Sequence, residues 1–292
     1  MGGRGWRGGR LTDREIETAS PEPFELPCKD GLAIRGERYT ADSPIGTVIV
    51  CHGFKGFAHW GFFPLVAKSL AQGGLNAITF DFSGSGIGAD RESFTQPEAF
   101  SGNTFSRELE DLDILVDYAR RVKWIDGKFG MFGHSRGGGS AILYSAVEGA
   151  EVNALVTWAA ISHANRWNAE EALDWRKRGF REVVNSRTGE TLLLGTDLLD
   201  EIEAHGATKV NILAAAGKIK APWLIAHGTA DETVPHAEAE RLHERAPKVS
   251  TLRLLDGVNH AFGSVHPLVQ PPAPLRKLVQ ETVSFFAANA GS

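Results

Sequence analysis

The chain has 292 residues, of which 42% are hydrophobic and 23% charged, and a formal net charge of −5. That balance is typical of a globular protein with a sizeable core, and the negative surplus argues against a nucleic-acid partner. No apolar run approaches the ~18 residues of a membrane span, and two cysteines, Cys28 and Cys51, are too few for a disulfide scaffold and lack metal-ligand spacing.

The chain opens with the Gly/Arg-rich stretch MGGRGWRGGR. It lacks the apolar segment of a secretory signal, so residues 1–20 are expected to be a disordered lead and the protein cytoplasmic. Residues 21–292 read as one domain, since α/β folds commonly reach this size around a single core. Leu32 to Tyr39 reads as an edge strand, and the apolar run Thr47 to Cys51 as a central one. Cys51, at the end of that run, reads as a small buried residue.

The loop His52-Gly53-Phe54-Lys55-Gly56 follows that central strand at once. A glycine there permits an unusual turn, and the backbone amide of Phe54 becomes a candidate donor to a developing oxyanion. Phe62 to Gln72 has helical apolar spacing and stops at Gly73-Gly74; Leu75 to Phe80 is the next strand. The glycines in Asp81-Phe82-Ser83-Gly84-Ser85-Gly86 do not meet a dinucleotide fingerprint, so this stretch reads as a structural turn. Along Arg107 to Val122, Leu109, Leu112, Val116, Ala119 and Val122 form an apolar stripe. Glu108, Glu110, Asp111 and Asp113 are accordingly expected on the solvated face and not in a metal cluster.

Phe129, Met131 and Phe132 mark a buried strand, and Arg136 to Ala146 a helix. Between them stands Gly133-His134-Ser135-Arg136-Gly137. A serine in so sharp a strand-to-helix turn projects its hydroxyl above the sheet, and glycines flank it because side chains would collide with the neighbouring strand or helix. The amides at the helix start favour negative charge there. Ser135 is thus the candidate nucleophile, with the amide of Arg136 as second oxyanion donor.

After the strand Ala154 to Ala160, the alternation of strand and helix breaks from about 162 to 217. This segment holds a polar helix with aromatic residues, a hairpin of Arg181 to Val184 with Thr191 to Leu194 around Asn185 to Gly189, and two more helical stretches. It is expected to be a cap over the site, with Trp167 and Trp175 lining the acyl or alcohol pocket. Alternation resumes at Trp223, and Asp231 follows that strand by one loop. His260 lies after the last strand, Thr251 to Leu255, and before the closing helix Leu275 to Ala288. His52, His134 and His227 read as local hydrogen-bonding residues, and His266 as a rival to His260.

Nucleophile, acid and base thus occur in the order Ser135, Asp231, His260, each just beyond a strand, as in the α/β-hydrolase fold. From Leu32 to Ala288 the chain resembles the α/β-hydrolase superfamily. The matching motifs are His52-Gly53-Phe54, Gly133-x-Ser135-x-Gly137, His227-Gly228-x-x-Asp231-x-x-Val234-Pro235 and Gly257-x-x-His260. Within it, the Gly53-Phe54 loop and the hairpin-bearing cap are similar to feruloyl/cinnamoyl esterases and dienelactone-hydrolase-like carboxylesterases, although a dienelactone hydrolase uses a cysteine where this elbow holds Ser135. The resemblance implies a mostly parallel sheet flanked by helices. It also implies a serine esterase acting on small-molecule esters through an acyl-enzyme, without cofactor or metal. The same triad would serve a serine peptidase or amidase, and the same fold a non-catalytic small-ligand receptor. Acyl and alcohol specificity and oligomeric state stay open at this level.

Overall fold

The strands that carry the site have no exposed face. Thr47–Cys51 (β3), Asn76–Asp81 (β4), Phe129–His134 (β5) and Trp223–Gly228 (β9) are buried at every position, as expected of parallel strands covered on both faces. The computed structural model describes residues 21–185 and 189–290. The lead expected over residues 1–20 lies outside them, as do residues 186–188 of the expected hairpin turn.

Among the described residues, one eight-stranded sheet has the order β1-β2-β4-β3-β5-β6-β9-β10. Its further members are β1 (Glu22–Pro27), β2 (Ala33–Tyr39), β6 (Val152–Trp158) and β10 (Ser250–Leu255). β1 and β2 run antiparallel, and all pairs from β4 to β10 are parallel. The expected edge strand is therefore one place inside the edge. β1 covers it, and prolines at both ends, Pro23 and Pro27, fit β1 to an edge position.

Helices α1 (Phe63–Gln72) and α9 (Ala273–Asn289) pack on one face through Val66, Leu70, Leu278 and Phe286. Helices α3 (Phe105–Arg121), α4 (Arg136–Ser145) and α8 (Ala237–Arg245) cover the other through Leu112, Leu115, Ile142 and Leu242. The short α2 (Pro97–Ser101) precedes α3. No helix among the described residues is long and apolar enough to cross a membrane.

Helix α3 corrects the expectation for its acids. Glu110 and Asp113 are exposed, but Glu108 and Asp111 are only 3% and 2% exposed. The buried stripe runs Phe105, Glu108, Leu112, Leu115, Ala119, with helical spacing of three and four, and leaves Val122 in solvent. Both buried acids find polar partners. Asp111 accepts from the Ser83 amide (2.7 Å) and hydroxyl (2.8 Å), and Glu108 from Asn103 Nδ2 (3.0 Å) and Arg136 Nε (2.7 Å).

Between β6 and β9 the chain leaves the sheet. It forms α5 (Ala169–Arg178), the antiparallel hairpin of β7 (Phe180–Val184) and β8 (Thr191–Gly195), α6 (Asp197–His205) and α7 (Ile212–Ala216). Asn168 and Glu171 close a capping box at the start of α5, and Gly179 ends it at φ 78°. Glu201 of α6 reaches back to the core, where its carboxylate oxygens accept the Phe105 and Ser106 amides at the start of α3, each at 2.7 Å.

Candidate active site

Strand β5 ends at His134 and α4 begins at Arg136, so Ser135 alone makes the turn. Its φ of 55° and ψ of −122° lie where non-glycine residues are rare, a local strain typical of a nucleophile held proud of its sheet. The turn closes only because its flanks lack side chains. A Cβ on Gly133 would come within 2.4 Å of the Gly137 carbonyl oxygen, and one on Gly137 within 2.2 Å of the His52 carbonyl oxygen. The loop after β3 runs against Ser135, since the Cβ position of Gly53 lies 2.9 Å from Ser135 Cβ.

The loops after β9 and β10 carry Asp231 and His260. They are tied together by the Thr229 amide to the Leu255 carbonyl (2.9 Å) and the Ala230 amide to the Val258 carbonyl (3.0 Å). His260 Nδ1 donates to Asp231 Oδ2 at 2.7 Å. The Asp231 side chain is fully buried, while that of His260 is 21% exposed. With Nδ1–H committed to Asp231, Nε2 is the nitrogen left to act as a base.

Asp231 has more partners than its spacing suggested. The amides of Thr233 (2.9 Å) and Val234 (2.8 Å) donate to Oδ1. His227 Nε2 lies 3.1 Å from Oδ2 and 2.8 Å from the Val234 carbonyl, and because both neighbours are acceptors its proton is at Nε2. Burial alone would push the Asp231 carboxyl up. The hydrogen bonds from His227 and His260, the charge of His260 and the Val234 amide outweigh it and hold the group well below the usual carboxylate range. Sequence spacing did not reveal His227 as a partner of the acid, though its position four residues ahead of Asp231 was a usable signal.

His134 Nε2 donates to the His260 carbonyl at 3.1 Å, with the two rings 4.7 Å apart. Burial, then the charge of His260, push its pKa well down, so it is a neutral prop for the His260 loop. His266 does not reach Asp231. Its Nδ1 accepts the Gly61 amide (3.2 Å), and its Nε2 faces Glu92 (3.2 Å).

Ser135, His260, Phe54, Arg136 and Trp167 line one cavity of about 970 Å³. Trp175 does not. It is 1% exposed, its indole donates to the Leu194 carbonyl (3.1 Å), and it backs Trp167 edge-on at 4.8 Å. An aromatic residue whose polar N–H finds a partner inside its own small layer is drawn there and not to the cavity wall. Among the described residues, no group of three or more His, Cys, Asp or Glu could hold a metal ion.

A mostly parallel sheet with a strained serine elbow after one central strand, and an Asp–His pair on the loops beyond it, defines an α/β-hydrolase. Residues 42–204 match the family described as serine aminopeptidase, S33, and the chain belongs to that family. The Escherichia coli O157:H7 protein YfhR is 26% identical over 258 residues, 85% of this chain and 76% of that one. Among solved structures, Est1E from Butyrivibrio proteoclasticus with bound ferulic acid is similar at TM-score 0.70 and 20% identity, over 92% of this chain and 100% of that one. The monoacylglycerol lipase of Paleococcus ferrophilus is similar at TM-score 0.66 and 16% identity, over 89% and 99%.

Proposed function

We propose that the protein hydrolyses carboxylic esters through Ser135, His260 and Asp231. One observation supports this above others: the serine elbow and the Asp231-bound histidine open onto the same cavity, whose walls include Phe54, Trp60, Phe63, Ile161 and Trp167. Ser135 Oγ attacks the ester carbonyl carbon and gives its proton to His260 Nε2. The amides of Phe54 and Arg136 then take the charge on the tetrahedral oxygen, typically worth about 3 kcal/mol per donor. The intermediate collapses as His260 protonates the departing alcohol. Water, deprotonated by His260, releases the acid and restores Ser135. Asp231 holds the imidazole tautomer and stabilises its protonated form. The 162–217 segment acts as a cap, with Trp167 forming an apolar wall for the acyl or alcohol group.

The family name favours a second reading, removal of N-terminal residues from peptides. Such a substrate brings an ammonium group that needs carboxylates beside the nucleophile. The cavity lining carries Lys55, Arg136, Arg166 and Arg181 beside Glu182 and Glu232, and Glu108, Glu238 and Glu171 pair with the three arginines, so what supports the ester reading over this one is the apolar wall and not the charge balance. p-Nitrophenyl esters of increasing acyl length should be turned over, the longer ones faster than acetate, and aminoacyl anilides poorly. Ser135→Ala should remove at least ~10³-fold of the ester activity, leave thermal unfolding unchanged and abolish fluorophosphonate labelling. Faster turnover of anilides would replace the ester reading with the peptidase one, and a folded, active Ser135→Ala would remove the serine mechanism altogether.

A further inference from the structure

Arginine is seldom buried, yet Arg136, the residue after the nucleophile, is only 6% exposed. Its Nε donates to Glu108 Oε1 at 2.7 Å, and Glu108 also accepts from Asn103 and, on the next turn of α4, from the Ser140 hydroxyl. The guanidinium carbon lies 4.2 Å from the Phe105 ring centroid and 5.5 Å from that of Phe54. Phe54 is itself stacked on Phe100 at 5.3 Å. Arg136 Nη2 meets no acceptor among the described residues, so Glu108 and the two ring faces are the main partners of the buried charge.

A buried ion pair of this kind seldom adds stability over an apolar replacement, because desolvation offsets the attraction. Its place is more informative. The side chain that Glu108 grips belongs to one oxyanion donor residue and lies against the ring of the other. The second donor stands on a loop that needs outside support, since Lys55 beside it has a φ of 56°. Oxyanion stabilisation depends on two amides being fixed before charge develops.

We propose that Glu108 and the Arg136 side chain are positioning residues, which lock the Phe54 and Arg136 amides into one preformed oxyanion hole. The inference rests on the ester-hydrolase reading and extends it from α4 to α3. The locked geometry favours the transition state over the bound substrate, so its loss should fall on kcat and not on KM.

Glu108→Gln keeps the side-chain shape and removes the charge. It should lower kcat on a p-nitrophenyl ester about 10- to 100-fold with KM within about threefold, and weaken a trifluoromethyl ketone, which mimics the oxyanion, by the same factor as kcat/KM. A double variant, Glu108→Gln with Arg136→Met, removes both charges while the Gln carbonyl still accepts from Asn103 and Ser140, and so guards against misfolding. It should regain wild-type thermal stability while kcat and ketone affinity stay low. Wild-type protein inert towards every ester overturns the reaction and this inference with it. Active wild type, with kcat and ketone affinity restored in the stable double variant or unchanged in Glu108→Gln, overturns the inference alone.

Discussion

Asp231 and Asp111 are both nearly solvent-free carboxyls near the carboxyl ends of strands of the same sheet, one just after β9 and one bound to Ser83 just after β4, and their surroundings drive them in opposite directions. Asp231 collects two imidazole N–H groups and two backbone amides, and stays ionised far into acid. Asp111 has the Ser83 amide and hydroxyl, with Arg107 helping and Glu108 opposing. Burial wins, and its pKa is pushed up to about 7. Burial therefore does not by itself mark a catalytic acid. What sets the two apart is whether the donors can balance the lost water, and whether one of those donors faces the cavity.

The largest effect expected from this contrast is at the acid itself. Asp231→Asn should cost about 10³- to 10⁴-fold in kcat, because the amide no longer fixes His260 with its proton on Nδ1. Glu232→Gln, one residue on and exposed, should stay within about threefold. Steady-state rates on one ester decide it, and equal losses would erase the distinction between Asp231 and its neighbour.

A smaller effect is expected at His227, which donates to the same Asp231 oxygen as His260 but is fully buried and does not line the cavity. His227→Leu should lower kcat/KM by about tenfold, the scale of one lost charge-assisted hydrogen bond. An unchanged rate in the folded variant would mean that three donors suffice.

The smallest concerns stability. Asp111 has a folded pKa near 7 and an unfolded one near ~3.9, so the folded state binds the extra proton between those values. Its influence on stability is therefore most favourable below about pH 4 and is lost as pH rises to about 7. Asp111→Asn mimics the protonated group, so its thermal midpoint relative to wild type should rise by about 3 °C from pH 5 to pH 8. Asp231 has the reverse sign, contributing stability above about pH 4 that disappears on acidification. A pH-independent midpoint difference for Asp111→Asn would show that Asp111 is ionised in the fold.

Much of the architecture was legible because it depends on local rules. Thr47 to Cys51 announces a central strand by having no polar face, and the elbow announces itself by glycines at positions where a Cβ has no room. Glu108 and Asp111 were misread because a charge was taken to mark the wet face of α3. The register Phe105, Glu108, Leu112, Leu115 already placed one acid on the dry face, but its partners Asn103, Arg136 and Ser140 lie on other elements, and only the fold assembles them. Trp175 failed for a related reason. Aromatic content indicates that a segment has an apolar side, not which of two tryptophans faces the cavity and which supports it. His260 and His266 stand six residues apart, and it is the ties between the β9 and β10 loops that put the first one beside Asp231.

The carboxylate of Glu201 on the first amides of α3 has a further consequence, for modularity. Segments that vary specificity are most easily exchanged when their borders cross no essential contact. Here the border is leaky, because α6 neutralises the positive end of the helix that carries Phe105 and Glu108. A graft of the proposed cap should therefore stop at the hairpin, near Gly195, short of the full 162–217 segment. Residues 196–205 are tied to α3, and a graft that takes them away strips a helix start of its counter-charge three residues from the grip on Arg136.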